Sequence, residues 1–148
     1  KKDFEKNGIF YTFVQDNHSK SAKNVLRGLH FQINNPQGKL VRCIAGSILD
    51  VAVDIREGSH TFGNHFMIEL NAINKLSLMI PPGFAHGFLT LEENTEINYK
   101  CTDFYNPNDE GGIIWNDKEL NIDWPTKNPI LSEKDSSFGT ISDLKQSL

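Results

Sequence analysis

Asp50-Val51-Ala52-Val53-Asp54-Ile55-Arg56 decides the reading of the chain: Val51, Val53 and Ile55 alternate with Asp50, Ala52, Asp54 and Arg56. Successive side chains of a strand point to opposite faces, so this period of two specifies a β-strand rather than a helix. Glu57-Gly58 closes the run with turn chemistry. The same alternation recurs on its C-terminal side, in Phe66, Ile68 and Leu70, in Leu76, Leu78 and Ile80, and in Ile97, Tyr99 and Cys101. Turn clusters separate these runs: Asn71-Ala72-Ile73-Asn74, Pro81-Pro82-Gly83 and Glu92-Glu93-Asn94, with Asn34-Asn35-Pro36-Gln37-Gly38 upstream. Helical periodicity is missing from residues 25–105; only the C-terminal end, with Ile141, Leu144 and Leu148, predicts a short helix.

Short strands at intervals of roughly 8–12 residues predict an antiparallel sandwich or barrel, and a jelly roll or cupin leaves room for a ligand at its open end. The chain has 148 residues, enough to bury one core. Ten Phe against two Trp and three Tyr suit an aromatic-rich barrel interior. The formal charge of -4 argues against nucleic acid or an anionic membrane as the main partner. No apolar run approaches the roughly 18–20 residues that span a bilayer. Cys43 and Cys101 lack metal-ligand spacing and read as buried thiols of a reduced, cytoplasmic protein. The chain begins at Lys1-Lys2-Asp3 without Met, so an N-terminal segment is expected to precede it.

Chemistry-bearing residues gather in a few segments. Leu26-Arg27-Gly28-Leu29-His30-Phe31-Gln32 is followed, after a turn, by Gln37-Gly38-Lys39-Leu40-Val41-Arg42. A hairpin between them would bring Lys39 back beside His30 and Gln32. Simple alternation sets Arg27 on the opposite face from His30, so sharing a face requires a bulge near Gly28 or a second chain. Pro82-Gly83-Phe84-Ala85-His86-Gly87-Phe88 and Asn98-Tyr99-Lys100-Cys101-Thr102-Asp103-Phe104-Tyr105 follow. His18, His60 and His65 read as surface histidines.

Taken in order with Val14-Gln15-Asp16-Asn17-His18-Ser19, Asp50-Val51-Ala52-Val53-Asp54 and Ile114-Trp115-Asn116-Asp117, these segments resemble the dTDP-4-dehydrorhamnose 3,5-epimerase family from about residue 13 to about residue 135. The resemblance implies one homodimeric cupin domain, with no metal and no cofactor, that holds a nucleotide-diphosphate-linked 4-keto-6-deoxy sugar. It implies His30 as base, oriented by Asp135 of the Leu131–Asp135 segment, and Tyr99 as the acid on the opposite face. Lys39 is implied where enolate charge develops. Gln15, Asn17, Arg27, His86, Glu110 and Lys134, with Tyr105 beside them, are implied to hold sugar or nucleotide. A base near neutral pKa and a cation at the developing oxyanion are what proton removal beside a ketone demands.

Rival readings exist. A metal cupin needs a His-x-His where this chain reads His30-Phe31-Gln32, and an ammonium at Lys39 repels a divalent ion. A non-catalytic sugar-nucleotide-binding cupin has no use for His30, Lys39 and Tyr99 together. Closer alternatives are a mono-epimerase, an epimerase of a GDP-linked keto-sugar including heptose, and a cupin that moves the ketone itself.

Overall fold

The computed structural model describes residues 2–147. After a short helix, α1 (Lys2–Lys6), come the strands β1 (Gln15–Ser21), β2 (Leu26–Gln32), β3 (Lys39–Ala45), β4 (Ser47–Asp54), β5 (His65–Asn71), β6 (Ser77–Ile80), β7 (Phe84–Thr90), β8 (Thr95–Cys101) and β9 (Glu110–Gly112). Two helices, α2 (Glu133–Ser136) and α3 (Ile141–Ser147), close the described chain. The expected C-terminal helix is therefore present through Ile141 and Leu144, while Leu148 lies outside the described residues.

The strands form two antiparallel sheets, in the orders β1-β8-β3-β6 and β5-β4-β7-β2-β9. The alternating runs read from sequence fall in strands except at their ends, where Ile55 and Arg56 follow β4 and Leu76 precedes β6. Their phase sorts the side chains into two cores. Val41, Cys43, Ile80 and Ile97 of the first sheet meet Ile48, Ala52, Leu70 and Phe88 of the second, filling one end of the space between the sheets. Leu26, Leu29, Phe31, Val51, Val53, Ala85 and Leu89 point the other way, against Ile113, Leu120, Trp124 and Ile141 of the C-terminal chain. The five-stranded sheet is thus covered on both faces, which is why β4 is buried at nearly every position and its carboxylates cannot reach solvent. Each large apolar side chain so buried contributes roughly 1.5–3 kcal/mol.

The expected hairpin between β2 and β3 does not form. β2 pairs with β7 and β9, and β3 pairs with β6 and β8, so the two strands belong to different sheets. Lys39 and His30 meet across the interior instead. The loop between these strands is long enough to change sheets, and the two strands bury their apolar faces in different cores: Leu26, Leu29 and Phe31 in the outer one, Val41 and Cys43 in the inner one.

The bulge near Gly28 is present. Arg27 is paired with Phe88 and His30 with His86, so β2 carries one extra residue between these pairs. That step reverses the phase of the strand: Leu26, Leu29 and Phe31 face the outer core, while Arg27, His30 and Gln32 share the opposite face. Gly28, at φ +114°, lies against Gly87, and a Cβ on it would come within 2.6 Å of the Gly87 Cα and the His86 carbonyl oxygen. Only glycine fits that close backbone approach.

Candidate active site

The end of the barrel left unfilled by the inner core is a polar cavity of about 210 Å³. Gln15 and Asn17 of β1, Lys39 of β3 and Tyr99 of β8 line one side, and His30 of β2 and Glu110 of β9 the other. Register explains the grouping: Val41, Tyr99 and Asn17 form one cross-strand row, and Lys39, Cys101 and Gln15 the next.

His30 is gripped from the C-terminal chain. Its Nε2 lies 2.6 Å from Asp135 Oδ1, across 105 residues of sequence. Asp135 sits in the first turn of α2, whose N-cap is Ser132; the Ser132 hydroxyl accepts the Asp135 backbone N–H at 3.0 Å. This cap fixes the helix start and aims the carboxylate. Burial alone would raise the Asp135 pKa, but the hydrogen bond and charge of His30, with Ser132 and the Gly28 backbone, hold it below the usual value. With Nε2 taken, Nδ1 is the ring nitrogen left for other partners, and Glu110 Oε1 stands 3.8 Å from it.

Glu110 is the hub of the cavity rim. The Tyr105 hydroxyl donates to it at 2.8 Å, and Lys134 forms an ion pair with the same carboxylate oxygen. Burial pushes the Glu110 pKa up, yet Lys134, Tyr105 and His30 together bring it below the ordinary range. Their own hydrogen bonds to Glu110 raise the Tyr105 phenol and the Lys134 ammonium. Gln15 accepts the Tyr105 backbone N–H at 2.8 Å and donates to Asn17 Oδ1 at 2.9 Å, which ties the rim loop to β1.

Lys39 is 9% exposed. Desolvation lowers its pKa, opposed by the charges of Cys101, Glu110 and Asp50. Among the described residues these neighbours act on it through charge and not through hydrogen bonds. The Tyr99 phenol is raised, chiefly by burial, with the Arg27 charge pulling the other way; it therefore stays protonated at neutral pH.

Four expected site residues lie off the main cavity: Asp135 and Lys134, which bond its lining residues His30 and Glu110, and Arg27 and His86. Arg27 is exposed, donates to the Ser21 hydroxyl at 3.3 Å, and lines a neighbouring groove with His30, Lys134 and Asp135. His86 is 6% exposed and is held through Nε2 by Asp50. Asp50 itself was not singled out from the sequence as a site residue. It is fully buried, and its Oδ2 has no partner among the described residues. A carboxylate alternating with valines was the available signal, but its weight depends on knowing that β4 is covered on both faces. His18, His60 and His65 are exposed, as expected.

Gln32, at the position where a metal cupin needs a second histidine, is occupied otherwise: its amide donates to the Asn35 and Phe104 carbonyls and accepts the Asn106 N–H. Among the described residues no three His, Cys, Asp or Glu side chains are grouped to hold a metal ion, and no helix is long and apolar enough to cross a membrane.

Asp135 supplies a test of the site's construction. Its folded pKa lies below the unfolded value of 3.8, so the folded state binds fewer protons and the stabilisation is complete above that value. It is lost as pH falls from about 3.8 through the folded pKa. Thermal melts of wild type and Asp135→Asn are therefore expected to differ at pH 6 and to converge as the pH drops below 3.8; a constant gap would contradict the pairing.

A two-sheet antiparallel barrel with an imidazole–carboxylate pair, a buried lysine and a phenol around one polar cavity is a cupin-type architecture. Residues 1–143 match the family described as dTDP-4-dehydrorhamnose 3,5-epimerase, and the chain belongs to that family. The dTDP-4-dehydrorhamnose 3,5-epimerase of Salmonella typhimurium (strain LT2) is 59% identical over 128 residues, covering 85% of this chain and 70% of the relative. The crystal structure of the Legionella pneumophila Philadelphia 1 dTDP-6-deoxy-D-glucose-3,5-epimerase, in complex with dTDP-4-keto-L-rhamnose, is 48% identical with TM-score 0.92, covering 95% of this chain and 76% of that one. ChmJ, a 3'-monoepimerase from Streptomyces bikiniensis in complex with dTDP-quinovose, is 28% identical with TM-score 0.91 over 99% of this chain and 76% of its own.

Proposed function

We propose that this chain, as one cupin domain, inverts C3 and C5 of dTDP-4-dehydro-6-deoxyglucose to give dTDP-4-dehydrorhamnose. The observation that carries the reading is the His30–Asp135 hydrogen bond on the same cavity as Lys39 and Tyr99. His30 takes the proton from the carbon beside the C4 ketone, and the C–H electron pair moves into an enolate. The ammonium of Lys39 faces the oxygen on which that charge develops, where a fixed cation in a dry site is worth most. Tyr99 then gives its proton to the opposite face of the same carbon. The imidazolium and phenolate left behind exchange protons with water and reset, so no metal or redox cofactor enters the balance.

Gln15, Asn17, Tyr105, Glu110, Arg27 and Lys134 hold the sugar nucleotide in this proposal, with the two cations nearest the diphosphate. His86, fixed by Asp50, supports the sugar at the inner end of the barrel. The working form is a homodimer in the cytoplasm, where nucleotide sugars are made.

The test is proton exchange. With dTDP-4-keto-6-deoxyglucose in D2O, NMR is expected to show deuterium entering at both C3 and C5. Tyr99→Phe is expected to keep wash-out of the substrate proton while lowering formation of inverted product by about 10²-fold, the usual worth of a positioned acid. Label at one carbon only would make the chain a mono-epimerase. Exchange with a GDP-linked 4-keto sugar alone would change the substrate, and no exchange with either would remove the activity.

A further inference from the structure

We infer that Phe138 is a positioning residue for His30, seated in the space that Gly112 leaves empty. The inference rests on the proposed role of His30 as base and adds a component of this chain that the reaction itself does not name.

His30 is paired directly with Gly112 across the β2–β9 ladder. In an antiparallel pair the residue opposite normally packs its side chain against its partner. Gly112 has none, and the Phe138 ring takes its place: a Cβ on Gly112 would collide with three atoms of that ring. Phe138 meets the His30 ring edge to face, with centroids 5.5 Å apart and planes at 79°. Its backbone is pinned at the same spot, because Ile114 N–H donates to the Gly139 carbonyl at 2.8 Å and Ile113 bridges Gly139. Phe138 is half-buried and does not line the cavity, so it touches His30 without touching what the cavity holds.

The hydrogen bond to Asp135 fixes one atom of the imidazole, Nε2. A ring held at one atom can still turn about that contact, and turning carries Nδ1 away from the cavity. A flat wall against the ring removes this freedom. Asp135 and Phe138 lie three residues apart and reach His30 from one C-terminal segment, so anchor and wall are delivered together. Edge-to-face aromatic contacts of this geometry are favourable in their own right.

The experiment compares Phe138→Ala, Phe138→Leu and Gly112→Ala with the wild type in two readouts. The first is exchange of dTDP-4-keto-6-deoxyglucose in D2O, split into kcat and KM. Phe138→Ala is expected to lower kcat about 10-fold with KM within about twofold, since a misplaced base costs rate and leaves binding alone. Phe138→Leu, which restores a wall, is expected to recover most of that loss. Gly112→Ala, whose backbone is not in the left-handed region, displaces the ring from the other side and is expected to behave like Phe138→Ala. The second readout is the 13C–1H signal of the His30 ring: sharp in wild type and Phe138→Leu, broadened or split in Phe138→Ala and Gly112→Ala. Unchanged kcat and an unchanged ring signal in Phe138→Ala, with only a lower Tm, would overturn the inference. If the wild type turns over no such sugar, the proposed function fails, and the ring signal alone then decides whether Phe138 holds His30.

Discussion

Replacing His30 by glutamine is expected to lower deuterium exchange at both C3 and C5 by about 10³-fold, within the range that a positioned general base supplies. Glutamine, whose amide reaches the Nε2 position, is the informative choice because Asp135 is buried and would be left without its partner by alanine. An uncompensated buried carboxylate costs stability and would confuse a catalytic loss with a folding one. His30→Gln keeps a donor toward Asp135 and removes the base, so Tm is expected to stay within a few degrees of wild type while exchange falls. Loss at one carbon only would mean that a second base serves the other. Retained exchange at both carbons would remove His30 from the mechanism.

Lys39→Met is expected to move activity and stability in opposite directions. The ammonium is buried, and desolvation lowers its pKa against the charges of Cys101, Glu110 and Asp50. A lysine with a lowered folded pKa binds fewer protons when folded, so its cost is complete below that pKa and is relieved as pH rises toward the unfolded value of 10.5. At neutral pH the wild type carries the penalty, and methionine, of similar shape, does not. Stability is expected to rise by about 1–2 kcal/mol, or about 2–6 °C in Tm. The loss of a cation at the developing enolate is expected to cost about 10²–10³-fold in kcat. A melting curve across pH 6–10 checks the first part, with the variant's advantage shrinking toward alkaline pH. A fall in Tm at neutral pH would show that Lys39 is held by favourable contacts and is not a strained functional charge.

How legible this was from sequence depends on the range of the signal. Period-two alternation marks the strands locally, so β4, β5, β6 and β8 could be read directly. Which sheet a strand joins is a long-range matter. The expected β2–β3 hairpin failed because nothing within those strands records that β7 and β9 flank β2. Residues of the site were found through family resemblance more than through pattern. Asp135 lies in a polar tail, and its pairing with His30 spans 105 positions, which no local rule reaches. Phe138 and Asp50 were missed for related reasons. A phenylalanine after two serines looks like a surface residue until Gly112 is seen beneath it, and an aspartate between Leu49 and Val51 looks solvated until both faces of its sheet are covered.

The extra residue in β2 has a bearing on how such a chain can vary over time. Substitution changes one side chain and leaves the rest of a strand in phase. At Gly28 that rule fails: any Cβ there meets the Gly87 and His86 backbone, and a strand straightened to relieve it would run Arg27 to His30 in plain alternation, turning either Arg27 into the apolar outer layer or His30 away from Asp135. The lineage can therefore explore new side chains along most of β2 one at a time, but a change of the codon for residue 28 is closed to it.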